Sequence, residues 1–420
     1  MTKIHKILYI HQDGQITGSA ISLRNLLMAL DRDKFSPYVL LGSDGPARNL
    51  YESIRVPVHS MFIRKFATFP GPHWYHSDFL RGYLSFFPNR QLDAYLWETQ
   101  PDLVHINDKA LLSAGLAAVR QKLPIVWHLR STYAVTNSHL NAMISREVIR
   151  RCADRMIAIS EDETDGFEDL NNLHTIHNSV DFNTVAQATS SRDVIRTEFG
   201  IRDGEVVIGM VGHLNKERGA WDFIRVGGLA SQRLKFLRFV MIGPVPARPP
   251  SKQNLRSRLG FPDPIHLEDY AWSLAVQAGI SGRLILTGFR QDALAVIAAL
   301  DILVVCNHLG VLGRPPFEAM AVGCPVVAYA GNSGKSNVVQ DRKTALIVPA
   351  GDVQAMASAI VELANSPDLR NEMGKAGMVY ARENFDPNRN VSAVQEVYQG
   401  LLGQGKRGRE IDSGDGLHRG

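Results

Sequence analysis

The chain has 420 residues, 45% of them hydrophobic and 21% charged, with a formal net charge of +4 and a pI near 8.9. That length exceeds one core and allows two or three domains, and the composition is that of an ordinary globular protein. The weak basic balance is compatible with anionic partners such as phosphates or acidic lipids but is too small to indicate a nucleic-acid binder.

The chain opens on "KILYI", an apolar run too short for a secretory core, and no stretch approaches the roughly 18 apolar residues of a spanning helix, so a cytoplasmic location is expected. "YIHQDGQITGSAISLRNLL" reads as strand, glycine turn and helix. It places the Gly18 and Ser19 amides where they can meet phosphate, although the GxGxxG fingerprint is missing. Asp31–Asp33 could imitate a metal–diphosphate clamp but reads as a solvated helix-to-strand turn. Met61–Arg90 mixes aromatic and basic residues and fits either a packed helix pair or a surface for a lipid-linked acceptor or an anionic membrane. His73 and His76 have no cysteine partners and no HExxH occurs, so no metal is expected.

Further strands are "YVLL", "LVHIN", "IVWHL", "RMIAIS" and "HTIHN". "DLVHIND" puts His105, Asn107 and Asp108 at a strand end, and "IVWHLRSTY" does the same for His128 and Arg130. A histidine in such a place is either a satisfied structural group or a cleft residue. Ser179–Asp193 is polar, Ser/Thr-rich and without a strong period, which suggests a domain boundary.

The second half repeats the alternation with "VVIGMVG", "LRFVMIG", "RLILTGF", "ILVVC", "PVVAY" and "ALIVP". Most of these runs are continuously apolar, as parallel strands covered on both faces should be, and helical patterns such as "ALAVIAAL" and "VQAMASAIVELA" intervene. A dozen strands exceed one ordinary sheet, so the expected fold class is α/β with two doubly wound parallel-sheet domains facing across a cleft. The expected division is 1–183, a linker 184–203, 204–385, a helix 386–402 and a disordered tail 403–420. Cys152, Cys306 and Cys324 lack CxxC spacing and suit buried thiols in a reduced compartment.

Motifs should lie after strand ends, where such sheets bind ligands. "VVIGMVGHLNKERGAWDFI" supplies Gly212 for close backbone approach and His213, Lys216 and Arg218 for a diphosphate, or else a basic loop in solvent. In "GVLGRPPFEAMAVGCPVVAYAG", Pro315 or Pro316 suits the first helical position and Glu318 falls in the first turn. That carboxylate either stabilises the helix or accepts the hydroxyls of a bound ribose.

In this order the pieces resemble the retaining glycosyltransferases of family four, which have the two-domain GT-B fold. The resemblance covers nearly the whole chain and rests on "GSAISLRNLLMALDRDKFSPYVL", "DRMIAISEDETDGF" with "HTIHNSVD", "LILTGFRQDALAVIAALDILVVCNHLG", "GRPPFEAMAVGCPVVA" and "TALIVPAGDVQAMASAI". It implies that Glu318 binds the donor ribose and that Arg218, in a position usually held by lysine, meets the diphosphate. Gly18 would lie near the phosphates, Phe289 would contact the base through its backbone, and His128 would lie near the sugar. The donor stretch would include Gly212, His213, Gly310, Leu312, Gly313 and Arg314. Three positions depart from the pattern: Gly310 replaces the first of two family glutamates, His213 replaces an arginine and Asn337 stands where a glutamate is frequent. Arg314 or Lys335 are candidates to compensate.

The implied activity is transfer of a sugar from a nucleotide diphosphate-sugar to a carbohydrate or lipid-linked hydroxyl with retention, in cell-surface polysaccharide or glycolipid synthesis. The nucleotide-sugar is a substrate, and no cofactor, metal or nucleic acid is expected. Arg218 and His128 carry the catalytic expectation. Two other readings are a degenerate nucleotide-sugar-binding or scaffold protein, motivated by Gly310, and a nucleotide-sugar epimerase of similar architecture.

Overall fold

The computed structural model describes residues 3–66, 82–131, 139–244, 267–310, 312–331 and 338–403. His73, His76, Lys335, Asn337, the middle of Met61–Arg90 and the tail from residue 404 lie outside them.

Strands β1 (His5–His11), β2 (Phe35–Leu41), β3 (Val58–Ser60), β4 (Leu103–Ile106), β5 (Ile125–Leu129), β6 (Arg155–Ala158) and β7 (Leu173–Thr175) form one sheet in the order β3-β2-β1-β4-β5-β6-β7. Strands β8 (Val206–Val211), β9 (Leu237–Ile242), β10 (Leu284–Gly288), β11 (Ile302–Val305), β12 (Val326–Tyr329) and β13 (Ala345–Val348) form a second in the order β10-β9-β8-β11-β12-β13. Every pairing between these strands is parallel. The runs are apolar throughout because both faces are covered: Ile7, Leu8, Tyr9 and Ile10 of β1 are all fully buried. The twelve strands read from the sequence are present, and β3 is an addition. It is a three-residue edge strand with no fully buried side chain, so it leaves no apolar run.

Strand order reverses between β1 and β4 in the first sheet and between β8 and β11 in the second. At such a switch point the crossover helices leave on opposite faces and open a crevice beyond the strand ends. The glycine turn before Gly18 and the basic loop from Gly212 follow β1 and β8 respectively, so both motifs sit at these crevices.

The stretch read as a polar linker is helical, as Phe182–Ser190 and Arg192–Glu198. Only Val185, Ala188 and Ile195 of these helices are buried, and that sparse inner stripe explains the missing period. The final helix, Pro387–Gly403, returns to the first sheet, where Val391, Val394, Val397, Tyr398 and Leu401 pack in one cluster with Ile7, Tyr9 and Phe35. The chain therefore crosses between the two sheets twice. The crossings are tied to each other by Val180 N–H to Phe385 O at 3.0 Å and Asn390 Nδ2 to His177 O at 3.0 Å. The three cysteines are buried, and Cys306 and Cys324 are free thiols.

One glycine sets how the basic loop meets the second sheet. Gly219 has φ of +77°, caps the helix Ala220–Arg233, and would bring a Cβ within 1.9 Å of the Cys306 carbonyl oxygen. Gly219→Ala combines left-handed strain with a backbone clash and is expected to cost about 2–4 kcal/mol, measured as a lower urea midpoint at unchanged slope.

Candidate functional site

The two crevices meet at a seam. The helix Pro315–Ala321, led by its two prolines, carries Glu318 in its first turn, and Arg314 immediately precedes it. Arg314 Nε donates to Glu318 Oε1 at 2.6 Å, and both side chains are largely buried. Arg314 Nη1 also reaches across to Ser22 Oγ at 3.1 Å, on the first-domain helix Gly18–Ala29. Gly18 opens that helix, and a Cβ there would lie 3.8 Å from Arg314 Cβ. Gly18, Arg314 and Glu318 are thus adjacent although nearly 300 residues separate them in sequence.

Arg218 comes to the same place from the basic loop. Its backbone N–H donates to Asn215 Oδ1 at 2.9 Å, and its Nη1 lies 3.5 Å from where a Gly313 Cβ would be. Gly313 and Gly310 take φ of +68° and +71°, values that favour glycine, and at Gly313 the loop passes close to this guanidinium. Arg218 is half-buried, and that burial lowers its pKa from a value so high that it remains a cation at neutral pH. His213 and Lys216, two and five residues beyond β8, are exposed instead. Burial first and Arg218 second hold the His213 pKa below the ordinary histidine value, so it supplies no fixed charge at pH 7.

The remaining residues are distributed as follows. Gly212 immediately follows β8 with φ of +135°. Phe289 follows β10 and is 56% exposed. Leu312 is 6% exposed in the core cluster with Val305 and Phe317, so its side chain is a packing group. Asp31–Asp33 forms the expected turn, with Asp31 paired to Lys34 at 2.9 Å. Among the described residues no group of three or more His, Cys, Asp or Glu side chains could hold a metal ion.

His128 is only 3% exposed, on β5. Its Nδ1 meets His105 Nε2 at 3.1 Å, and His105 Nδ1 meets the Tyr398 hydroxyl at 2.7 Å. Burial drives both histidine pKa values far down, helped by the nearby Arg130 charge, so both rings are neutral. His11 joins the group through Asn107 at 2.9 Å, and burial lowers its pKa to about 4. Arg130, just past β5, donates to Asn107 Oδ1 and to Asn178 Oδ1, each at 2.6 Å, and these contacts of His11, Asn178 and Tyr398 were not visible in the sequence. The signal available for His11 was that β1, β4 and β5 are neighbours, each ending in polar residues. A second missed group is Asp222, which accepts from His308 Nε2 at 2.8 Å and the Tyr329 hydroxyl at 3.2 Å.

Two parallel-sheet domains with facing switch points define the GT-B fold. Residues 16–184 match the family described as Glycosyltransferase Family 4, and residues 191–379 match Glycosyl transferases group 1. The chain belongs to this family of group 1, family 4 glycosyltransferases. It is 31% identical over 280 residues to a D-inositol 3-phosphate glycosyltransferase of Mycobacteroides abscessus, a match covering 62% of this chain and 58% of that one. A protein of the same description from Streptomyces scabiei is 25% identical over 331 residues, covering 73% of this chain and 70% of its own. The match thus spans under two thirds of the first relative's length. The structure of Anabaena Alr3699/HepE with UDP and glucose has the same fold, with a TM-score of 0.75, 21% identity, and 94% of this chain and 100% of that one covered.

Proposed function

We propose that this chain transfers a sugar from a nucleoside diphosphate-sugar to an acceptor hydroxyl with retention of anomeric configuration. The observation that carries the reading is the convergence of Arg218, Gly313, Arg314 and Glu318 at the β8/β11 switch point, closed from the other side by Gly18. Glu318 would accept from the ribose hydroxyls, and Arg218 would neutralise the diphosphate. As the glycosidic bond breaks, an oxocarbenium-like centre forms and negative charge grows on the leaving phosphate, where a fixed cation stabilises the transition state more than the ground state. Attack occurs from the face the diphosphate leaves, and a donor phosphate oxygen takes the acceptor proton, so no carboxylate nucleophile is required. With the charge supplied by side chains, the reading needs no metal. Closure of the seam would exclude water and limit hydrolysis.

UDP is the first nucleotide to test, since HepE, which shares this fold, is known with it. Thermal shifts with UDP, GDP and ADP should give one clear stabilisation, about 2.7 kcal/mol at a ligand concentration of 100 Kd. No shift with any of the three would remove the reading. Proton NMR of the product's anomeric centre tests retention.

The acceptor would be a carbohydrate or lipid-linked hydroxyl in cell-surface polysaccharide or glycolipid synthesis, met at the cytoplasmic face of a membrane. In support, Phe62 and Phe87 are 71% and 64% exposed beside Arg64 and Arg90 on the first domain. Among the described residues no helix is long and apolar enough to cross a membrane. Gly310 motivates a second reading, a nucleotide-sugar binder without turnover: tight nucleotide binding with no nucleotide release across donors and acceptors would favour it.

A further inference from the structure

Two buried polar side chains on the helix Gly18–Ala29 make their contacts outside the first domain's core. Ser22 and Asn25 are 4% and 6% exposed and stand three residues apart, on one side of the helix. Leu23, Leu26 and Leu27 seat the same helix on the first sheet, in the cluster that holds Ile7, Tyr9 and Phe35. Asn25 Nδ2 donates to Ser179 O at 3.2 Å, next to Val180 at the first crossing between the domains. Ser22 Oγ accepts from Arg314 Nη1 at 3.1 Å, across the seam. One helix fixed to the first domain thus touches both the crossing and the residue that precedes the Glu318 helix.

Arg314 links that helix to the carboxylate. Its Nε donates to Glu318 Oε1 at 2.6 Å, one helical turn on, while Nη1 reaches Ser22, so a single planar guanidinium holds both groups. The Arg314 and Glu318 side chains are 15% and 13% exposed. The Arg314 stem passes Gly18, where a Cβ would lie 3.8 Å from Arg314 Cβ and 3.9 Å from its Cδ. A pair buried to this degree adds little net stability, because desolvation offsets the attraction, and an arginine held at two points gives up much rotamer freedom. What the arrangement supplies is a fixed orientation of the carboxylate. Oε1 is engaged by Arg314, and among the described residues Oε2 has no hydrogen-bond partner. The Ser22 contact joins two domains, so it exists only while they hold this arrangement.

We propose that Arg314 is a positioning residue that braces the Glu318 carboxylate against the first domain, so that the donor's ribose is gripped fully only when the seam is closed. The proposal rests on the assignment of the ribose to Glu318 and deepens it. Discrimination by a second-domain carboxylate comes to depend on Ser22, a first-domain hydroxyl connected to it through Arg314. By linkage the dependence runs both ways, and a ribose held at Glu318 favours the closed seam. Without Arg314 the carboxylate would stand largely buried without its cation, and reorientation or protonation would cost it the ribose hydroxyls.

Calorimetry on the full chain with UDP and 2′-deoxy-UDP reads the proposal as the ratio of the two dissociation constants. In the wild type that ratio should be about tenfold or more, the loss of one hydrogen bond to a charged acceptor. Arg314→Met should shrink it about fivefold and Ser22→Ala about twofold, and Ser22→Ala should change nothing further in the Arg314→Met background. A purely structural role for Ser22 and Arg314 would weaken both nucleotides equally and leave the ratio at its wild-type value, which would overturn the proposal. Tighter UDP binding by Arg314→Met would overturn it too, by making Arg314 a competitor for the carboxylate. The ribose assignment is scored separately, since Glu318→Ala should abolish the ratio. If Glu318→Ala loses the ratio while Ser22→Ala and Arg314→Met keep it, the ribose stays with Glu318 and the brace alone falls. If Glu318→Ala keeps the ratio, the assignment and the brace fall together. In arginine-¹⁵N-labelled wild type, UDP should move the Arg314 Nε–H resonance more than 2′-deoxy-UDP does. Equal shifts would overturn the proposal even if Arg314→Met misfolds.

Discussion

Arg218→Ala is expected to lower turnover at saturating donor by about 10²–10³-fold, the usual cost of removing one preorganised group from a transition-state charge. The guanidinium is carried by the loop that Asn215 closes on its backbone, and its Nη1 faces Gly313 at the second-sheet crevice. The charge it would oppose grows as the bond breaks, so the rate at saturation should fall more than nucleotide affinity does. Lysine is usual at this position in the family the sequence resembles, and Arg218→Lys should remain within about tenfold of wild type, short by the second arm of the fork. Nucleotide release measured at donor saturation reads both variants. Turnover unchanged in Arg218→Ala would place the leaving group elsewhere.

Glu318→Ala is expected to weaken nucleoside diphosphate binding by about 10²-fold or more, since hydrogen bonds to a charged group contribute roughly 1.5–3 kcal/mol each and a ribose offers two hydroxyls. Arg314 engages one carboxylate oxygen, Oε1, at 2.6 Å and holds the group oriented in the seam. The discriminating measurement is calorimetry with the 2′-deoxynucleotide. Removing that hydroxyl should weaken the wild type and have little effect on Glu318→Ala, because the partner is already gone. An affinity for the ribonucleotide that survives Glu318→Ala would leave the carboxylate as a helix-stabilising group paired with Arg314.

Much of this architecture was legible because it rests on local pattern. A strand buried on both faces must be apolar along its length, so β1 and β8 are recognisable from a handful of residues, and so is the order strand, glycine turn, helix that locates the crevices. The placing of Glu318 and Arg218 along the chain was legible for the same reason, each standing a fixed few residues from a strand or a proline pair. The misses have the opposite character. The edge strand β3 buries almost nothing, and the helices Phe182–Ser190 and Arg192–Glu198 bury too few side chains to show a period.

His128 marks the division. By itself the sequence determined that a histidine and an arginine stand two residues apart at the end of a buried strand, because backbone geometry carries residues so close in sequence to the same sheet edge. Which groups that histidine meets was decided only by tertiary structure. Tyr398 sits 293 residues from His105 in sequence and reaches it because the last helix folds back onto the first sheet. A proton's position on an imidazole depends on what lies across space from each nitrogen, and no local pattern encodes that.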